Sequence, residues 1–219
     1  MDFKALYQFL EDLRDNNHKA WLDEHRPRYK ALREDFIAYV SQLNDEIAAR
    51  VPGYLPKPAR ESISRINNNL VFKPDAPTYK DHFSAGLGSV DAAASMYLHI
   101  GLGENMIAGG FYKPPSNLLK RIRAAIDYDG EVLQRIIDDK EFLEVFGGLY
   151  STGALKTAPK GYASDHPHIH LLREKSFAVT RTFSREAVCG TSFTKEVIRS
   201  VVAIQPFLQY LNRAVSVEA

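Results

Sequence analysis

Ser95-Met96-Tyr97-Leu98-His99-Ile100-Gly101-Leu102-Gly103-Glu104-Asn105-Met106-Ile107-Ala108-Gly109-Gly110-Phe111-Tyr112 is the stretch whose reading decides the fold. Met96, Leu98, Ile100 and Leu102 alternate with Ser95, Tyr97, His99 and Gly101, the period of a half-buried strand. Gly103-Glu104 reads as a turn opening on glycine, and Asn105 to Tyr112 as the returning strand. Gly109-Gly110 weakens a strand interior, which predicts a bulge or the close approach of another backbone or a ligand. The pair does not make a phosphate loop, because no Gly-Lys-Ser/Thr follows. Tyr97 and His99 face away from the apolar row, and the structural reading of His99 is preferred.

Both flanks of this hairpin, 94–112, read as helical. Over residues 1–50, Phe3, Leu6, Tyr7, Leu10 and Leu13 form one stripe with Asp2 placed to cap it, and Asn16-Asn17 ends it. Asn17 is placed to cap the next helix, with Trp21 and Leu22 on its buried side. Pro27 then kinks that helix or opens a new one carrying Leu32, Phe36, Val40, Leu43 and Ile47. Over 113–146, helices are expected after Pro115 and again after Asp129-Gly130, with a last turn ending at Gly147-Gly148. A C-terminal helix spans 191–213, capped by Thr191 or Ser192 and interrupted at Pro206. The fold class is α+β: helices packed around a small, mainly antiparallel sheet in a single domain over 1–219.

Composition bounds the function. Among 219 residues, 28 basic against 27 acidic side chains leave no bulk charge for nucleic acid or an anionic membrane surface. No apolar run reaches membrane-spanning length, and the opening Met1-Asp2-Phe3-Lys4 lacks the pattern of a secretory leader. A lone Cys189 forms no internal disulfide, and a buried small apolar role is its preferred reading. A cytoplasmic protein is expected.

Two segments are candidates for function. Residues 52–88 lose periodicity among Pro56, Pro58, Pro74 and Pro77, and such a long irregular segment is usually functional. Arg65, Tyr79, Lys80 and His82 are the groups that bind a carboxylate or phosphate, Arg through its planar fork and Lys as a point charge. Alternatively the segment is a solvated loop pinned by Phe72, Tyr79 and Phe83. The second segment, 159–183, holds Lys160, Asp165, His166, His168, His170 and Arg173. Asp165-His166-Pro167 reads as a helix start, placing His166 at an exposed helix lip, and Val179, Thr180 and Thr182 favour a following strand. Asp165 either orients His166 as an acid–base group beside Lys160 and Arg173, or serves only as a cap. On a helix only His166 and His170 converge, short of a zinc set, so no metal and no cofactor is expected.

Phe9-Leu10-Glu11-Asp12-Leu13, Asn16-Asn17, Trp21, Arg65-Ile66-Asn67, Phe72, Asp75 and Tyr79-Lys80-Asp81-His82 form an ordered set of motifs. It continues through Gly109-Gly110-Phe111-Tyr112, Pro114, Leu155-Lys156, Pro159-Lys160-Gly161-Tyr162, Asp165-His166-Pro167 and Leu171-Leu172-Arg173-Glu174-Lys175-Ser176-Phe177. Taken together they make residues 3 to 214 resemble the conserved family called domain of unknown function 2461. The resemblance implies one α+β domain whose polar motifs gather around one region, and it carries over no catalytic residue. The chain departs from the pattern at Asn68, Asn69 and Val71, where an Arg-Asp pair and a further Arg are usual, and at Ala76, where a Lys is usual.

Two functions follow as expectations. In the first, Arg65, Tyr79, Lys80, Tyr112 and Lys160 hold a small anionic ligand in a polar pocket, with His166 and Asp165 as the acid–base pair if chemistry occurs. In the second, the chain is a non-catalytic protein-interaction module using 52–88 as its binding edge.

Overall fold

The computed structural model describes residues 1–71, 74–89, 92–151 and 153–216. In chain order these form α1 (Phe3–Asp15), α2 (Lys19–Glu24), α3 (Arg26–Ala48), α4 (Ala59–Ser62), β1 (His82–Leu87), β2 (Ser95–Gly101) and β3 (Asn105–Phe111). They continue with α5 (Ser116–Ile137), α6 (Lys140–Phe146), α7 (Ile169–Leu172), β4 (Phe177–Thr182), α8 (Arg185–Val188), α9 (Phe193–Ala203) and α10 (Gln205–Ser216). The strands make one antiparallel sheet in the order β1-β2-β3-β4, so the fold is α+β, as the hairpin implied.

The chain gathers into two compact units. One comprises Met1–Val90, Tyr97–Ile107 and Thr182–Ile198; the other comprises Asp91–Met96, Ala108–Arg181 and Arg199–Ala219.

In the first unit, Asp2 caps α1 by accepting from the Ala5 N–H at 3.0 Å, and the stripe Leu6, Phe9, Leu10 and Leu13 is buried. Proline suits the first turn of α3, where its missing N–H has no partner to lose, and Phe36, Val40, Leu43 and Ile47 bury the opposite stripe. Phe36 meets Phe83 of β1 edge to face at 5.5 Å. Two expectations are corrected here. His18, not Asn17, caps α2, its Nδ1 accepting from the Trp21 N–H. Trp21 is only half-buried, stacked on His25 at 4.0 Å, and Leu22 supplies the buried contact.

The segment 52–88 is less irregular than its composition suggests. It contains α4 and all of β1, and antiparallel bridges join Pro56 to Ser89, Ile63 to Ala85 and Asn67 to Tyr79. Of the expected anchors, Tyr79 and Phe83 are buried; Phe72 lies outside the described residues. The hairpin turn is also corrected: three residues, Leu102–Glu104, link β2 to β3. The Asn105 side chain closes this turn, its Oδ1 accepting from the Gly101 N–H at 3.1 Å. Tyr7 Oη donates to the same Oδ1 at 2.6 Å.

In the second unit, Ile122, Ile126 and Leu133 of α5, Phe177 and Val179 of β4, and Phe207 and Leu211 of α10 form the core. The expected break at Asp129-Gly130 is a kink within α5, with Asp129 at φ −142° and ψ 38°. Gly110 lies at φ +98° with its Cα face against the Phe177 carbonyl, and a Cβ on Gly109 would stand 2.6 Å from Ile204 Cδ1. The paired glycines are therefore a place of close approach, here by protein rather than ligand.

Candidate functional site

The sequence candidates fall into two sets. Arg65, Tyr79 and Lys80 belong to the first unit, and Tyr112, Lys160, Asp165 and His166 to the second.

In the second unit the histidine segment docks along α5. Arg123, Asp127, Gly130 and Gln134 are spaced by four, three and four, so they share one helix face. Arg123 donates from Nε to the Leu172 carbonyl at 2.8 Å and from Nη2 to that of Glu174 at 3.2 Å. His166 Nε2 meets Asp127 Oδ1 at 3.1 Å. The His168 ring lies over Gly130, where an added Cβ would come within 2.5 Å of its Cδ2. His170 Nε2 pairs with Gln134 Oε1 at 2.6 Å. Alternate residues of the segment thus meet successive positions on one helix stripe.

This corrects three expectations. The helix starts at Ile169, and Asp165 is an exposed turn residue rather than a cap. The carboxylate that reaches His166 is Asp127, 39 residues distant in sequence, and not Asp165. His166 is no exposed lip, since its side chain is 16% exposed. Its Nδ1 accepts from the His168 backbone N–H at 3.0 Å, so the neutral ring carries its proton on Nε2 and points it at Asp127. Both ring nitrogens are engaged. Tyr162 is half-buried beside this group, and its partial burial, with the Asp127 carboxylate, pushes its hydroxyl pKa up. Among the described residues no group of three or more His, Cys, Asp or Glu side chains is placed to hold a metal ion. Lys160 is exposed, and Tyr112 is 58% exposed with Lys113 Nζ 5.1 Å from its ring centre.

In the first unit the geometry is different. A cleft of about 470 Å³ is lined by Lys19, Arg26, Arg33 and Arg65, and by Tyr29 and Tyr79. Its wall is built by the segment that read as irregular. The Asn68 N–H donates to the Thr78 carbonyl at 3.0 Å and the Lys80 N–H to that of Ile66 at 2.8 Å, making a short ribbon around the Asn67–Tyr79 bridge. Asn17 pins the ribbon: its Oδ1 accepts from the Tyr79 N–H at 2.8 Å and its Nδ2 donates to the Tyr79 carbonyl at 3.0 Å. The Asn68 side chain adds a bond to the Pro77 carbonyl at 2.8 Å. Asn68 thus closes the ribbon with both its backbone and its side chain.

Lys80 donates its ammonium to the Arg65 carbonyl at 2.9 Å and does not line the cleft. Burial pushes the Tyr29 hydroxyl pKa up, while Arg33 and the Ile66 backbone pull it back. Asp23 engages Lys19 and Arg26, and Glu34 is forked by Arg60 with Arg33 at 3.8 Å. Among the described residues no carboxylate lines the cleft beside Arg65.

Sequence reading found Arg65 and Tyr79 but missed Lys19, Arg26 and Arg33. On α2 and α3 these are ordinary charges of a solvent face, and the only available signal was their clustering on both sides of Pro27.

An α+β protein with a basic cleft walled by two helices and a pinned ribbon is the class these features define. The family described as "Conserved hypothetical protein (DUF2461)" matches residues 5–210, and the chain belongs to it. No curated protein and no solved structure matches the chain.

Proposed function

We propose that this protein binds a small anionic ligand in the cleft of its first unit. The observation that carries this reading is the composition of the lining: four cations, two tyrosines and no carboxylate among the described residues. Guanidinium groups hold carboxylates and phosphates through paired N–H donors, and the pinned ribbon holds Arg65 at a fixed edge. A volume of about 470 Å³ falls within the range of small-molecule sites. Tyr112 and Lys160 do not line this cleft. His166 and Asp165, the expected acid–base pair, draw no support from the geometry, because the His166 ring is held by Asp127 and the His168 backbone. The reading is therefore of a binding protein. The lone Cys189 favours a reducing, cytoplasmic setting, and among the described residues no helix is long and apolar enough to cross a membrane.

A second reading, a protein-interaction module, draws on Leu55 and Val71, which are 64% and 86% exposed within 52–88.

Thermal shift against nucleotides, sugar phosphates and carboxylates separates the two, since a ligand of the folded state raises Tm with its occupancy. A shift with an anionic class that disappears in Arg65→Ala supports the cleft. No shift with any anion overturns it in favour of the interaction module.

A further inference from the structure

We propose that the ligand is the monoester of a phosphate, its phosphoryl head on the cations and its organic body over the apolar floor of the same cleft. This rests on the anion-binding reading and narrows it in two respects.

The first is charge. Of the four cations, Lys19 and Arg26 share Asp23, and Arg33 stands 3.8 Å from Glu34, whose oxygens are already forked by Arg60. With Asp23 and Glu34 each counted in full, two positive charges on the lining remain unanswered among the described residues. A carboxylate supplies one negative charge and two acceptor oxygens. A phosphate monoester supplies between about 1.5 and 2 negative charges near neutral pH and three acceptor oxygens. The dianion matches the cleft and the carboxylate leaves it half answered. Asn67 and Thr78 add neutral side chains to the same lining, the kind of donors that serve the remaining acceptor positions.

The second is shape. Half-buried Ile63 lines the cleft, together with the small accessible edges of the otherwise buried Leu22, Ile66 and Tyr79. A bare phosphate ion touches none of this apolar surface to advantage and fills a small part of about 470 Å³. A carbon body attached to the phosphate covers it, beside Tyr29, whose ring is held by Phe9 at 6.0 Å and Phe83 at 6.1 Å. The site therefore asks for an amphiphilic dianion: charge at the rim, carbon within.

The test is calorimetric titration of three small probes into the full chain at low salt. Phenyl phosphate carries both features, benzoate has the ring with a single charge, and inorganic phosphate has the charge without the ring. The expected result is that phenyl phosphate binds about tenfold or more tightly than either of the others, since each missing feature removes an interaction of order one hydrogen-bonded charge or one buried ring. Arg33→Ala is expected to narrow the gap between phenyl phosphate and benzoate, because it removes charge and leaves the floor. Benzoate binding as tightly as phenyl phosphate overturns the phosphate assignment while leaving an anion site standing. Inorganic phosphate binding as tightly as phenyl phosphate overturns the role of the floor. If none of the three binds, the anion-binding reading itself fails.

Discussion

The histidine segment of the second unit and the basic cleft of the first use charged and polar side chains in opposite ways. In the segment, His166, His168 and His170 each find a place on one face of α5: His166 pairs with Asp127, the His168 ring lies over Gly130, and His170 pairs with Gln134 at the surface. In the cleft, Arg65 has no carboxylate partner among the described residues, and the rim stays more positive than its neighbours neutralise. The density of a motif in sequence therefore says little about which side chains the fold leaves without partners. Side chains already satisfied by the fold stabilise it, and those held in place without a partner have interactions left to offer a ligand.

The largest expected effect breaks the histidine side of this contrast. Gly130→Val puts a branched side chain where the His168 ring lies and should destabilise the protein by about 3 kcal/mol in urea unfolding, the scale of overpacking a tight contact. An unchanged midpoint would show that the segment is loosely seated. His166→Ala removes the Asp127 pairing and leaves the His168 N–H without its acceptor, and should cost about 2 kcal/mol. Affinity for any anion in the cleft should be unaltered in that variant.

A smaller effect concerns acid stability in the first unit. His99 is buried, stacked on His82 at 4.1 Å and bonded to Tyr97 Oη at 3.2 Å. Burial, reinforced by His82 and only partly opposed by Asp81, depresses its pKa to about 4 from an ordinary 6.5. The unfolded chain therefore takes up this proton first. The stabilisation is complete above pH 6.5 and is progressively lost as pH falls from there towards 4. His99→Gln should flatten that part of the pH–stability curve, and an unchanged slope would place the acid sensitivity elsewhere.

The smallest effect on stability belongs to Arg65, the residue at the centre of the proposed anion site. Arg65→Ala should leave the unfolding free energy within about 0.5 kcal/mol, as for an exposed side chain without a partner. It should nonetheless weaken anion binding about tenfold, the worth of one charge-assisted bond. A large loss of stability would make Arg65 a structural residue and sharpen the contrast against the cleft.

What was legible in the sequence was local. The stripe of α1 with its Asp2 cap, the helix opening at Pro27, the hairpin, and the breaks at Asp129 and Pro206 all follow from contacts within a few residues. The close approach at Gly109-Gly110 was also readable, because the absence of two side chains inside a strand has few other causes. What escaped depends on distant partners. β1 was missed because Ser84, Ala85 and Gly86 carry little strand propensity, and its pairing with the sheet supplies what they lack. Asn17 looked like a cap, but its amide pairs with the backbone of Tyr79, 62 residues on. Asp165 looked like the partner of His166 only because it is adjacent; the helix stripe puts Asp127 there instead. The cleft cations were invisible for the same reason, since Arg26 and Arg33 become neighbours of Arg65 only when α3 meets the ribbon.

The central claim is that the cleft, and not the histidine segment, holds the ligand. Parallel titrations of phenyl phosphate into the unmodified protein, Arg65→Ala and His166→Ala, each confirmed folded by circular dichroism at the temperature used, test it most directly. The expected result is about tenfold weaker binding in Arg65→Ala and unchanged binding in His166→Ala. Unchanged binding in Arg65→Ala together with loss in folded His166→Ala would contradict the claim and return the site to the histidine segment.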